Sequence, residues 1–391
     1  MKGKETKKPL VTFYIPNVVF QSLTLKTNSG HSKVKIRRNV VFKLSTKVKS
    51  DRPVKLLTKK NCKPQQNILF LKTHKTGSST VQNIFLRYGD NNNLTLVIPE
   101  KSNYFGYPRH FNRRMLHSKY RQNSSKIQNN IFAHHARYHY KEMKSIMPRN
   151  TIFITILRDP VVLIESLFSY YNLKKIYNET SSISFLKNAF STSLNISAYH
   201  ATSSQRFLGR FGRNQMSFDL GFSVENFDNL KMIREFIEAI DSQFHLVMIA
   251  DRMDESLILL QHTLCWKMED VIVFRHNARR TSEFTSLPKD LQENIRIFSI
   301  ADVLLYNYFS DKLNRLIEKF GKRRMKMEIA ALQNATKSIY RQCVHKEPFK
   351  DMIVYYNKNQ TIDKKCQDFI ISELSYTDLL REEQNKRYRF I

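Results

Sequence analysis

The chain has 391 residues, enough to bury a sizeable core as one large or two ordinary domains. Lys plus Arg number 65 against 34 Asp plus Glu, a net +31 that favours anionic partners: nucleic acid, an anionic membrane, an acidic glycan or a nucleotide phosphate. The four cysteines, Cys62, Cys265, Cys343 and Cys366, are too few for a disulfide scaffold and lack CxxC spacing, so no zinc or other metal is expected.

Residues 1–61 read as a basic arm or stem, with runs such as KVKIRR (33–38) and KLLTKKNCK (55–63). Their most apolar stretch, PLVTFYIPNVVFQSLTL (9–25), is interrupted by Pro16, Asn17 and Gln21, so neither a transmembrane helix nor a cleavable signal is readable. Six sequons, at Asn93, Asn123, Asn178, Asn195, Asn334 and Asn359, lean towards the secretory pathway.

From residue 67 the pattern alternates. NILFLK (67–72) reads as a short buried strand, and the polar loop 73–78 hands over to an amphipathic helix beginning near Ser79. Residues 89–130 are Asn-rich and polar and read as long surface loops, the kind of segment that often carries substrate contacts. NIFAHHARYHY (130–140) is a second apolar stretch, rich in histidine. TIFITIL (151–157) reads as a central strand, because its β-branched run is continuous rather than alternating. RDPVVLIESLFSYYNL then supplies a turn with proline near a helix start, and a helix with Val162, Ser166 and Ser169 on nearby turns. QFHLVMIAD (243–251) and DVIVF (270–274) are strand-like around the helix DESLILLQHTL; after 288 the pattern is helical to about 341 and ends in a polar tail. Strands alternating with helices imply an α/β fold, a central parallel sheet flanked by helices, with a helical C-terminal part.

The loop in FLKTHKTGSST (70–80) is not a Walker sequence, since Ser78 and Ser79 follow Gly77 where Lys and Ser or Thr would stand. It still suits an anion. Gly77 permits close backbone approach, Ser78, Ser79 and Thr80 offer N–H groups and hydroxyls at a helix start, and Lys72 and Lys75 add charge. Arg158 ends the central strand with Ser166 eight residues on, a guanidinium and a hydroxyl able to hold a second phosphate at the carboxyl ends of the strands. Taken alone, RDP reads equally well as a turn with an Arg–Asp surface pair.

Together, KTHKTGSST and LRDPVVLIESLFSYY resemble the two cofactor elements of Golgi-type sulfotransferases, which hold the 5′-phosphosulfate and the 3′-phosphate of 3′-phosphoadenosine 5′-phosphosulfate (PAPS). FLKTHKTGSSTVQNIFLRYGD (70–90), FDLGF (218–222), DESLILLQHTLCWKMEDVIVFRHNAR (254–279), LLYNYF (304–309) and ELSYTDLL (373–380) narrow the resemblance to the galactose 3-O-sulfotransferase family. It covers roughly 62–385, leaving 386–391 as a tail.

The resemblance implies a P-loop-like sulfotransferase fold and transfer from PAPS to the 3-hydroxyl of a terminal β-galactose on a glycolipid or glycan. It further implies a membrane-associated place in the Golgi lumen, although family members carry an N-terminal anchor that is not readable here; no nucleic acid partner is expected, because none of the usual binding signatures appears in the sequence. By the same resemblance Lys75 contacts the bridging oxygen and the 5′-phosphate, and Lys72 assists. Thr73, Thr76, Gly77, Ser78, Ser79 and Thr80 form the cradle, and Arg158 with Ser166 holds the 3′-phosphate. A histidine suits the base by its near-neutral pKa. His74, His134, His135 and His139 are candidates; His135 resembles by position the strand-following histidine of related glycan sulfotransferases, while His74 sits inside the loop. Arg137 and His134 are assigned to the acceptor. Cys343 and Cys366 are expected to bridge in an oxidising lumen, and Cys265 with Trp266 to pack or bridge at a helix end. A uronosyl 2-O-type sulfotransferase, a basic nucleic-acid-binding protein and a catalytically silent relative are the alternatives.

Overall fold

Ile68, Leu69, Phe70 and Leu71 are each fully buried and form β1 (Ile68–Leu71), the middle strand of a five-stranded sheet. A strand buried on both faces needs an apolar side chain at every position, and these four supply it. The computed structural model describes residues 62–118, 127–176, 178–191, 212–276, 286–344 and 363–388, with short strands at Lys26–Asn28, His31–Lys33 and Ile353–Val354. The basic arm of residues 1–61 otherwise lies outside the described residues, as do the sequons at Asn123, Asn195 and Asn359.

The other sheet strands are β2 (Leu96–Val97), β4 (Ile131–Phe132), β6 (Ile152–Leu157) and β7 (Leu246–Ile249), and the order is β2-β4-β1-β6-β7 with every pairing parallel. From β1 the chain runs through α1 (Ser78–Asn91) to the edge strand β2, returns as β4, and then crosses to β6 on the other side. That reversal puts a crevice at the carboxyl ends of β4, β1 and β6, where open α/β sheets bind ligands. Leu69 pairs with Phe132 and Leu71 with Thr155, so the residues following these three strands emerge at one edge. The edge strand β2 is covered rather than left open: the Gln384 side chain bonds the Leu96 N–H at 2.6 Å and its carbonyl at 3.0 Å.

Three readings from the sequence change. Residues 89–130 are not simply surface loops, because β3 (Tyr104–His110) pairs in parallel with β5 (His135–Arg137), and Leu94, Leu96, Ile98, Phe105 and Phe111 are buried. Leu94, Leu96, Val97 and Ile98 form one short apolar run, but it is flanked by asparagines on one side and polar residues on the other and is too brief to mark an element by period. The stretch 270–274 is a turn and coil, with a two-residue strand only at Arg275–His276. Its carbonyls at Asp270 and Ile272 accept from the buried Arg87 guanidinium at 3.1 and 2.7 Å, so a side chain stands where a neighbouring strand would have paired. The polar tail is helical, as α10 (Lys364–Ile370) and α11 (Glu373–Arg387).

Between sheet and tail, α5 (Leu230–Gln243) precedes β7 and α6 (Met253–Leu264) follows it, and α7 (Lys289–Phe298), α8 (Ile300–Phe320) and α9 (Lys322–Val344) form the helical C-terminal part. Cys343 and Cys366 are joined by a disulfide that fixes α9 to α10, and a second disulfide joins Cys62 to Cys265 at the end of α6. Trp266 beside it stacks on Tyr88 at 3.7 Å and donates to the Gln65 carbonyl. Among the described residues no helix is long and apolar enough to cross a membrane.

Candidate active site

The loop from Lys72 to Gly77 is shaped largely by its own hydroxyls. Thr73 Oγ1 donates to the Ile156 carbonyl on β6 at 2.6 Å and lies 2.8 Å from Thr76 Oγ1, while Ser78 Oγ donates to the Thr73 carbonyl at 2.5 Å. Arg158 Nη1 closes the loop from the end of β6 by donating to the Lys75 carbonyl at 2.9 Å. Lys75 (φ 58°) and Gly77 (φ 75°) both take left-handed conformations, which turn the chain sharply into α1. A Cβ on Gly77 would meet nothing nearer than Met253 Cε at 3.6 Å, so the constraint at this position is the backbone angle. Helix α1 has no side-chain cap at Gly77 and no acidic residue of its own in the first turn, which leaves its positive dipole end suited to an anion. The Lys75 ammonium lies 3.4 Å from the centroid of the Tyr170 ring at the end of α3 (Pro160–Tyr170). Asp159 caps α3, accepting from the Val161 N–H at 2.8 Å, with Pro160 at the first helical position.

Lys72 is buried beneath the loop. Its ammonium pairs with Glu373 at the start of α11 and donates to Gln82 Oε1 at 2.7 Å. Glu373 also accepts from Ser79 Oγ at 2.5 Å and from the Asn103 amide. Burial by itself would raise the Glu373 carboxyl, but the Lys72 charge and the hydrogen bonds from Lys72, Ser79 and Asn103 together hold it down at about 2. Burial depresses the Lys72 ammonium and Glu373 partly restores it, and we take the pair as ionised at neutral pH because the depressed carboxyl requires a charged partner.

His74 and His135 come together. Their rings stack at 4.4 Å, and Tyr104 completes a triangle with them, its ring 4.6 Å from His135 with the planes 7° apart and 6.0 Å from His74. His74 is held by a carboxylate that the sequence reading did not assign. Asp219 accepts from the His74 backbone N–H at 2.7 Å and lies 2.9 and 3.0 Å from Nδ1. The same carboxylate accepts from the Tyr107 hydroxyl at 2.9 Å and the Gln215 amide at 3.0 Å. Burial, then the neighbouring Asp219, pushes the Tyr107 phenol well up, so it remains a donor. His135 is pushed well below its ordinary value by burial, with the charges of Lys72 and His74 adding to the effect.

Asp219 ends α4 (Gln215–Asp219) within FDLGF, and the turn is pinned on both sides. Arg137 donates to the carbonyls of Phe218 at 3.2 Å and Phe222 at 3.0 Å, and the Tyr138 N–H donates to the Asp219 carbonyl at 2.8 Å. Gly221 (φ 89°) is required there, since a Cβ would come within 2.5 Å of the Tyr138 carbonyl oxygen. At its other end α4 is anchored by Asp302 of α8, which accepts from the Met216 and Ser217 N–H groups at 3.1 and 2.8 Å.

The structure thus gathers Lys72, Thr73, His74, Lys75, Thr76, Gly77, Ser78, Ser79, Thr80, Arg158 and His135 around one crevice. Ser166 follows on α3, 8% exposed. The remaining candidates serve other contacts: His134 is fully buried, 3.0 Å from Thr377 Oγ1 and held down at about 3 chiefly by burial; His139 caps α2 (Tyr140–Ile146); and Arg137 holds the FDLGF turn. Among the described residues no group of three or more His, Cys, Asp or Glu could hold a metal ion. Asp219, Tyr107, Gln215 and Glu373 were missed. FDLGF and ELSYTDLL marked the two acids as family segments, but partners 145 and 294 residues away have no local spacing rule.

Comparison with known proteins identifies the family. The profile of the galactose-3-O-sulfotransferase family matches residues 15–379. Human galactosylceramide sulfotransferase is 36% identical over 288 residues, 72% of this chain and 65% of that protein, so the chain spans a little under two thirds of that relative. Pig galactose-3-O-sulfotransferase 2 is 31% identical over 346 residues, 82% of this chain and 85% of the relative. Among solved structures, a sulfotransferase from Alicyclobacillus acidocaldarius aligns with 64% of this chain and 97% of its own at 12% identity and a TM-score of 0.35, too slight a likeness to argue from. With its family profile covering most of the sequence and relatives above 30% identity, the chain belongs to the galactose-3-O-sulfotransferase family.

Proposed function

We propose that the protein transfers a sulfuryl group from PAPS to the 3-hydroxyl of a terminal β-galactose on a glycolipid or glycoprotein glycan. The observation that carries this reading is the convergence of the strand-loop-helix anion cradle, Arg158 and a stacked histidine pair at the carboxyl ends of three adjacent parallel strands. When bound, PAPS supplies the sulfuryl group and a 3′-phosphoadenosine 5′-phosphate leaving group.

The N–H groups at the start of α1 and the Lys75 ammonium suit the 5′-phosphosulfate, and Lys75 balances the charge that grows on the leaving oxygen. Lys72 bears on the cradle through Glu373 and Ser79, holding α1 against the loop. Arg158 and Ser166 serve the 3′-phosphate. The pair His74 and His135 takes up the proton of the attacking hydroxyl. Relatives named for galactosylceramide favour a glycolipid acceptor, and by the same kinship the site of action is the Golgi lumen at its membrane, an oxidising compartment in which the two disulfides would persist.

The test is transfer from radiolabelled PAPS to galactosylceramide, lactosylceramide, β-galactosyl N-acetyllactosamine and desulfated heparan. Label on a terminal galactose supports the reading. Label on the heparan alone replaces it with a uronosyl-type enzyme, and PAPS binding without transfer to any of the four points to an acceptor outside the panel or to a silent relative.

A further inference from the structure

We infer that Asp219 is a positioning residue that fixes the tautomer of His74 and thereby makes His74, rather than His135, the proton acceptor; this rests on the function proposed above. A carboxylate only accepts hydrogen bonds. With both Asp219 oxygens 2.9–3.0 Å from Nδ1, the His74 ring carries its proton on Nδ1, and Nε2 becomes the basic nitrogen whatever else it touches. The Asp219 bond to the His74 backbone N–H, at 2.7 Å, ties the same carboxylate to the loop itself, so ring orientation and loop shape are set together.

The carboxylate is in turn immobilised. Tyr107 and Gln215 both donate to its Oδ1, and Gln215 also donates to the Tyr107 hydroxyl at 2.9 Å. Arg137 and Tyr138 hold the main chain on either side of it. His135 has no carboxylate in this arrangement among the contacts described; it meets the Lys72 backbone and the rings of His74 and Tyr104. The charged and titratable groups that the described contacts place against His74 include Asp219, His135, Tyr104 and Tyr107.

In the step this supports, the acceptor O–H bond breaks and its proton passes to His74 Nε2, leaving the electron pair on oxygen. That oxygen bonds to sulfur as the bond from sulfur to the 5′-phosphate oxygen breaks, and the latter oxygen keeps its pair. The imidazolium formed on His74 is then stabilised by Asp219, as in other carboxylate–histidine arrangements.

The experiment compares the wild type with Asp219→Asn and Asp219→Glu in steady-state transfer across pH, in titration with 3′-phosphoadenosine 5′-phosphate, and in ¹⁵N-histidine NMR assigned with His74→Gln. The expected result is an Nδ1-protonated His74 in the wild type, and for Asp219→Asn a kcat lower by about 10²–10⁴-fold with acceptor KM and nucleotide affinity changed less than threefold. The acid limb of its pH profile should move to lower pH, and Asp219→Glu should restore part of kcat. A wild-type His74 protonated on Nε2, or an Asp219→Asn enzyme with unchanged kcat and pH profile, overturns the inference. The wild-type tautomer decides it even if both variants fail to fold. A wild type silent on every galactoside overturns the functional reading and this inference with it, whereas an active wild type indifferent to Asp219 overturns the inference alone.

Discussion

Lys75 combines two properties that a loop lysine seldom has together: a left-handed backbone and an ammonium already resting on an aromatic face. The first directs its carbonyl to Arg158, and the second holds the ammonium against Tyr170 at the end of α3. Lys75→Ala should lower kcat about 10²–10³-fold, as removal of one charge-stabilising group does, with less effect on acceptor KM; steady-state transfer assays check this. Gly77→Ala has room for its methyl group but not the backbone angle, so a loss of about 1 kcal/mol in stability and weaker nucleotide binding are expected by thermal melting and titration. The buried histidines give a pH signature. His134, at about 3, and His135, well below its ordinary value, have folded pKa values under the unfolded value near 6.5. Their contribution to stability is therefore complete above about pH 6.5 and declines as pH falls towards the folded values, which denaturant titrations between pH 7 and 4 would register.

At the scale of elements, the loop depends on helices that come late in the sequence. The ion pair of Lys72 with Glu373 fastens α11 beneath the cradle, and Asp302 of α8 anchors the α4 turn that carries Asp219. Glu373→Gln leaves the Lys72 ammonium buried without its counter-charge and should destabilise the fold by about 3–5 kcal/mol, measured by urea unfolding. Because the folded Glu373 pKa of about 2 lies below its ordinary 4.5, the wild type loses this contribution as pH falls from about 4.5 towards 2. The variant should lack that acid transition. What was legible in the sequence follows the same division. The strands at 68–71, 152–157 and 246–249 and the helices after 78, 160 and 253 announce themselves by continuous or periodic apolar runs. The lysines, hydroxyls and Arg158 of the crevice stand next to those runs and were found with them. Asp219 and Glu373 reach the crevice only through tertiary pairing, and the small strand at Tyr104–His110 is defined by a partner beyond residue 130.

For the whole molecule, the two disulfides span very different lengths of chain, 203 residues for Cys62–Cys265 and 23 for Cys343–Cys366. On the chain-entropy view they are worth about 5 and about 3 kcal/mol against the unfolded state. Reduction should therefore lower the melting temperature by several degrees, and intact mass with and without reductant should differ by four hydrogens over the two bonds. The exposed sequons at Asn93, Asn178 and Asn334 lie on the described surface and would accept glycans without disturbing the core.

Glu373 has a further consequence, for the order in which the protein comes into being. A ribosome delivers the loop, both histidines, Arg158 and Asp219 long before the acid that bonds Ser79 across 294 residues and neutralises Lys72. Until that acid emerges, settling the loop would bury an uncompensated cation. On the function proposed above, the nascent chain would hold the proposed reacting groups without a finished cradle, and a message cut short before residue 373 is expected to yield an inert protein rather than a weakened one.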